Sequence, residues 1–99
     1  MPELSTETIQ DIARDAIELA FAGQQLRVLC MVRDDYWIPD DDTGRVVLYV
    51  QTDRPLTEED DGRRRQAQLA FLQRTGQRDT SRLYSLMFQD PAAVQADAA

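Results

Sequence analysis

Carboxylates and aromatic side chains are concentrated in one short segment of the sequence, from Asp34 to Gly44. Its five Asp side chains supply the hard oxygen ligands that Mg²⁺ and Ca²⁺ prefer, so metal-dependent chemistry is considered first. Asp40, Asp42 and Gly44 follow the alternation that opens a calcium loop, but the third position is a glycine and no Glu closes the loop. We therefore predict no metal site. A small enzyme that holds a metal ion through these carboxylates stays an alternative.

The same segment carries a Tyr and the only Trp of the chain next to its carboxylates. Aromatic anchors surrounded by polar groups are typical of protein–protein hot spots, and carboxylates steer a partner of opposite charge. We therefore predict that this segment binds a protein with a basic surface. The predicted contact residues are Asp34, Asp35, Tyr36, Trp37, Asp40, Asp41 and Asp42. Two alternatives stay open. The segment can be a solvated turn, in which Asp and Gly are favoured for their backbone conformations. The Trp37 side chain can also fill the core instead of contacting a partner.

A second cluster of charge consists of Arg residues in the C-terminal half of the chain. The candidates for phosphate contacts are Arg63, Arg64, Arg65, Arg74, Arg78 and Arg82. The acids Glu59, Asp60 and Asp61 precede the first three by four residues, which on a helix predicts ion pairs rather than free guanidinium groups. No aromatic residues interleave with them for base stacking. Nucleic-acid binding is therefore not expected, and a dimeric nucleic-acid-binding regulator is the second alternative.

Several familiar catalytic arrangements are missing from the sequence. It has no histidine, which removes the commonest general base and any Ser-His-Asp arrangement. Its four glycines stand singly, so no glycine-rich phosphate loop is present. The single cysteine, Cys30, allows no intrachain disulfide, and its place in the middle of an apolar run predicts a buried thiol. We expect no catalytic residues and no cofactor, so an interaction protein is favoured over an enzyme.

Length and charge narrow the classes of protein further. A chain of 99 residues predicts one domain. The net charge is −7, and the excess lies in Met1–Thr43, which has ten acids and three Arg. An acidic half disfavours anionic membranes and nonspecific nucleic-acid binding, and it suits a basic partner. Because no signal peptide and no apolar run of about 20 residues is visible, we expect a cytoplasmic protein that does not contact a membrane.

Two strands must position the acidic segment. The runs Leu26–Arg33 and Arg45–Thr52 are rich in β-branched and aromatic residues, which predicts strands, and Tyr36–Ile38 can lengthen the first. Their short connection predicts an antiparallel hairpin. Strict alternation places Leu26, Val28, Cys30 and Val32 on one face of the first strand and Val46, Leu48 and Val50 on one face of the second. Both faces of this ribbon are apolar, so both need a cover.

A first helix is predicted at about Ser5–Ala22, ahead of the hairpin. Ser5 is a favourable N-cap, and Leu4 with Ile9 fits a hydrophobic staple. Apolar residues then recur at three- and four-residue spacing, which predicts one buried stripe. Gly23 is suited to the chain reversal that ends the helix.

Two more helices are predicted after the hairpin. Thr57 is the N-cap of the second helix, with Asp60 as its capping-box partner, and Thr75-Gly76 should end it. A third helix is predicted from Asp79 or Thr80 to about Gln89. It rests on the helical spacing of Leu83, Leu86 and Met87.

The predicted fold is a single small α+β domain over residues 1–90, with residues 91–99 as a flexible tail. Its order is α-β-β-α-α, with an antiparallel hairpin packed against helices. The third helix or a second copy of the chain would cover the remaining apolar face. Because the first strand has few charges in the centre of its edge, we expect a homodimer that extends the sheet there. The leading hypothesis is a noncatalytic adaptor, inhibitor or neutralising partner.

Overall fold

A computed structural model of the chain describes residues 4–38 and 43–89. The elements in chain order are α1 (Thr6–Ala20), β1 (Val28–Ile38), β2 (Thr43–Thr52), a 3₁₀ turn (Glu58–Asp60), α2 (Asp61–Arg78) and β3 (Arg82–Gln89). The three strands form one sheet in the order β1-β2-β3, in which β1 is antiparallel and β3 parallel to β2. The predicted α+β class is confirmed, whereas the observed order is α-β-β-α-β. The predicted tail, residues 91–99, lies outside the described residues.

Helix α1 begins as its capping residues predict. The Ser5 hydroxyl accepts the backbone N–H of Thr8 at 3.2 Å, and the staple residues Leu4 and Ile9 are both buried. The buried stripe consists of Ile9, Ile12, Ala13, Ala16, Ile17 and Ala20. Gly23 has a φ of +81°, a left-handed conformation that glycine adopts at no steric cost, and it turns the chain toward β1.

The start of α2 depends on Asp60, which is buried. Its carboxylate accepts the Thr57 backbone N–H at 2.9 Å and the Arg54 guanidinium at 3.0 Å. The hydrogen bond from Arg54, and then the one from the Thr57 backbone, lower the pKa of Asp60 to about 2. The predicted capping role of Asp60 is confirmed, but its guanidinium partner is Arg54 rather than Arg64. Arg64 pairs instead with Asp61 at 2.8 Å, three residues earlier.

The segment predicted as a third helix forms strand β3, so that prediction is wrong. Tyr84 and Leu86 are buried and Phe88 is partly buried, whereas Leu83 and Met87 are exposed, which is the period of a strand. The helical spacing of Leu83, Leu86 and Met87 competes with this alternation. Because α2 returns the chain alongside β2, the free backbone groups of β2 stabilise the extended form.

Both helices contribute to one core with one face of the sheet. The shared cluster contains the alternating residues Val46, Leu48 and Val50 of β2, as predicted, with Tyr84 and Leu86 of β3. Ala67 and Phe71 of α2 and the buried stripe of α1 complete it. We call this side of the sheet the inner face and the opposite side the outer face. The N-terminal part of the chain is tied in through Tyr84, whose hydroxyl accepts the Leu4 backbone N–H at 3.3 Å.

A β-bulge in β1 changes which residues face the core. Val28 is paired with Thr52 and Cys30 with Gln51, so Leu29 is an extra residue. Beyond the bulge, Met31 packs on the core while Cys30 and Val32 are exposed. The expectation of one continuous face and of a buried Cys30 thiol is therefore wrong. The Cys30 Sγ lies 3.2 Å from the Gln51 Oε1 at the surface.

Candidate functional site

The predicted acidic segment is largely part of the hairpin itself. Strand β1 continues through Tyr36 to Ile38, and Trp37 pairs with Gly44 of β2. The lengthening of the first strand and the antiparallel pairing are both confirmed. The connection between the strands is residues 39–42, and the predicted contacts Asp40, Asp41 and Asp42 lie there, outside the described residues.

The two carboxylates of β1 face opposite sides of the sheet. Asp35 is in register with Val46 of the inner row, and it binds the Arg33 guanidinium through two hydrogen bonds of 2.7 and 3.0 Å. The same guanidinium donates to the Leu4 carbonyl at 3.1 Å, so Asp35 helps to fix the hairpin against the start of α1. Asp34 is in register with Val47 of the outer row and is exposed. Asp34 is therefore exposed to solvent, whereas Asp35 helps to hold β1 against the start of α1 through Arg33.

This divergence bears on the metal-binding alternative. Asp34 and Asp35 would have to converge on one ion, but they lie on opposite faces of β1. Within residues 4–38 and 43–89, no group of three or more metal-ligating His, Cys, Asp or Glu side chains is formed.

The six Arg residues of the phosphate-binding alternative are spread over different surfaces. Arg63, Arg64 and Arg65 follow one another on α2 and therefore point in directions about 100° apart. Arg74 lines a cleft with Asp15 and Glu18 of α1. The remaining two are Arg78, exposed at the end of α2, and Arg82, whose side chain lies against Gly44 of β2.

The apolar second face of the hairpin was predicted from the sequence, but the surface that it forms together with the third strand was not. The strand registers place on the outer face Cys30, Val32 and Asp34 of β1, Val47, Tyr49 and Gln51 of β2, and Leu83, Ser85 and Met87 of β3. Val32 is 56 % exposed and Met87 46 %, whereas Val47 at the centre of the face is buried, so the face is open to solvent on β1 and β3. The two-sided apolar pattern of the hairpin was the available signal. This pattern could not identify the β3 residues of the face, because the chain after α2 was predicted to be helical.

A cleft lies between the end of α1 and the start of β1. Its volume is about 390 Å³, and Ile17, Phe21 and Leu26 line it together with Arg14 and Arg27. Glu18 and Gln24 also line it, and the lining residues include no Ser, Thr, Cys or Lys that could act as a nucleophile beside the Glu18 carboxylate. None of the helices in the described ranges is long and apolar enough to span a membrane.

The comparisons with known proteins add no relative to this description. Neither the family models, nor the curated proteins, nor the solved structures contain a match to the chain.

Proposed function

We propose that this chain is a noncatalytic protein-binding module whose partner docks on the outer face and on the acidic end of the hairpin. The observation that carries the proposal is the exposure of Val32, Leu83 and Met87 on a face that no described helix covers. Exposed apolar patches with polar rims are typical of interaction surfaces. Asp34 belongs to the same row of β1 as Val32, so the apolar centre continues into the acidic segment.

The charge distribution indicates the chemistry of the partner. The acidic excess of the chain lies in Met1–Thr43, which includes β1 and the connection that follows it. A partner with a basic rim around an apolar centre would complement this surface, and the opposite charges would speed association. The proposed role is that of a cytoplasmic adaptor, inhibitor or neutralising partner, acting as a homodimer.

Replacing Val32 with Ser and Asp34 with Asn in one variant is expected to weaken partner binding about tenfold or more. The change removes apolar area and one steering charge from the outer face without truncating a buried side chain. The measurement is capture from host lysate, followed by titration of the captured protein. A second variant, with Trp37 and Asp40–Asp42 all changed to Ala, tests the contribution of the hairpin end.

The matched control carries the same two chemical changes on α1, as Leu19→Ser with Asp15→Asn. Both control positions are exposed and lie on α1, whose buried stripe packs in the core on the inner face. Wild type and control should retain the partner, and circular dichroism should show that all variants fold alike. If the outer-face variant retains the partner as well as the control does, the outer face is not the binding surface.

A further inference from the structure

Charged and apolar side chains alternate along one side of α1 near its end. Arg14, Ile17, Glu18 and Phe21 are spaced by three and four residues, so they are neighbours on the same side of the helix. All four line the cleft between α1 and the start of β1. The Ile17 and Phe21 side chains are buried, whereas Arg14 and Glu18 are exposed. The cleft therefore combines an apolar floor with charged groups at the solvent.

The other wall of the cleft is the connection from α1 to β1, which hydrogen bonds hold in place. The Arg54 guanidinium donates to the Gln25 carbonyl at 3.1 Å. The Arg27 backbone N–H donates to the Asp53 carboxylate at 3.1 Å, and its carbonyl accepts the Asp53 backbone N–H at 2.9 Å. Because this backbone is fixed, the cleft is largely pre-formed, as small-ligand sites usually are.

The charged side chains of the cleft are not paired with one another. Arg14 lies 3.5 Å from Asp11, which is too long for a strong hydrogen bond. Among the residues that the structure describes, neither the Arg27 guanidinium nor the Glu18 carboxylate forms an ion pair. Two Arg and one Glu give the lining a net charge of +1, although the whole chain carries −7.

We propose that this cleft binds a free apolar amino acid in its zwitterionic form. The ligand carboxylate pairs with Arg27 and Arg14, since guanidinium groups bind carboxylates through two parallel hydrogen bonds. The ligand ammonium faces Glu18, and the apolar side chain lies against the floor. A volume of about 390 Å³ falls in the lower part of the range of about 300–1,000 Å³ for small-ligand sites, which suits a small ligand.

Three probes with the same ring separate this ligand from simpler ones. The isotope-labelled full-length chain is titrated with L-phenylalanine, with phenylpropanoate, which lacks the ammonium, and with phenethylamine, which lacks the carboxylate. Saturable NMR shifts of the amides from Gly23 to Arg27 report binding at the cleft. Phenylalanine is expected to bind about fivefold or more tightly than either analogue, because each analogue loses one exposed ion pair.

Two of the possible titration results would overturn the proposal. The first is an absence of saturation by phenylalanine up to about 10 mM, since a useful site of this kind needs a dissociation constant near 1 mM or below, roughly. The second is equal affinity for phenylalanine and phenylpropanoate, which would show that the cleft binds amphipathic carboxylates without reading the ammonium.

Charge-neutral variants assign each ligand group to its side chain. Arg27→Gln should weaken phenylalanine binding about fivefold and leave phenethylamine unaffected, whereas Glu18→Gln should weaken phenylalanine and leave phenylpropanoate unaffected. The matched controls are Arg78→Gln, at the end of α2, and Glu7→Gln, in the first turn of α1, both at exposed positions outside the cleft. Equal effects of the cleft variants and their controls would place the ligand elsewhere.

The cleft shares no residue with the outer face, so the amino-acid site and the proposed protein-binding function can fail separately. Arg27→Gln and Glu18→Gln leave Val32 and Asp34 intact, and both should capture the protein partner as wild type does.

Discussion

Replacing Phe71 with Ala is expected to lower the free energy of unfolding by about 3–5 kcal/mol. The Phe71 side chain is completely buried in the core that unites α1, α2 and the inner face. Its truncation removes apolar contact area and leaves a cavity that the neighbouring side chains fill only in part. Since a domain of this size has a total stability of about 5–15 kcal/mol, the variant should be close to unfolding at 37 °C.

The measurement for Phe71→Ala is urea denaturation followed by circular dichroism. The chain concentration is kept constant, because self-association would add to the apparent stability. Gln73→Ala is the matched control, since Gln73 lies two residues further along α2 and is exposed. It should change the stability by less than about 0.5 kcal/mol. Equal effects of the two substitutions would show that the α2 face carrying Phe71 is not in the core.

Replacing Asp79 with Ala is expected to destabilise the protein by about 2–4 kcal/mol, because one buried hydroxyl and two partly buried donors lose their charged acceptor. Asp79 is 1 % exposed and lies between α2 and β3. Its carboxylate accepts the Ser81 backbone N–H at 2.9 Å and the hydroxyls of Ser81 and Tyr84 at 2.5 Å each. Tyr84 in turn accepts the Leu4 backbone N–H, so one carboxylate connects the start of β3 to the N-terminal part of the chain.

A double-mutant cycle with Tyr84→Phe separates the shared hydrogen bond from the rest of the network. Tyr84→Phe keeps the buried ring and removes only the hydroxyl, so it should cost less than Asp79→Ala. If the hydroxyl and the carboxylate interact as described, the two effects will not add, and the coupling energy will be about 1 kcal/mol or more. Strict additivity would contradict the network.

The same carboxylate predicts a pH dependence of stability. Hydrogen bonds from the Ser81 hydroxyl, and then from the Tyr84 hydroxyl, lower the pKa of Asp79 below its ordinary value. A carboxyl group whose pKa is lower in the folded chain contributes stability that is fully present above its unfolded pKa of about 3.9. This contribution is lost as the pH falls from there through the folded pKa. Wild type should therefore lose stability below about pH 4 more steeply than Asp79→Ala does.

Local signals were enough to predict α1 and the hairpin. The Ser5 cap, the Leu4 and Ile9 staple and the apolar stripe all act within a few residues, and the structure keeps each of them. The same holds for the Asp60 cap of α2. These predictions hold because the interactions involved form between residues that are close in sequence and do not depend on distant parts of the chain.

Elements whose structure depends on pairing between strands were predicted poorly. The segment after Asp79 fits both a helix and a strand, and only the neighbouring edge of β2 decides between them. The bulge at Leu29 likewise inverts the faces of β1 without any glycine or proline to announce it. Consequently the apolar outer face was anticipated as an uncovered side of the hairpin, but its β3 residues and the exposed Cys30 were not.

From the parallel pairing of β2 with β3 we also expect an order of folding events. The β1–β2 hairpin closes across a short connection, whereas Arg82 can reach Gly44 only after all of α2 has crossed between them. Leu86→Ala should therefore mainly speed unfolding in stopped-flow experiments, while Leu48→Ala should also slow folding, and the reverse pattern would contradict this order. Until the last strand arrives, one side of β2 and its apolar residues stay open to other chains. The fraction of chains lost to aggregation during refolding should therefore depend on how fast β3 pairs with β2, rather than on the stability of the folded domain.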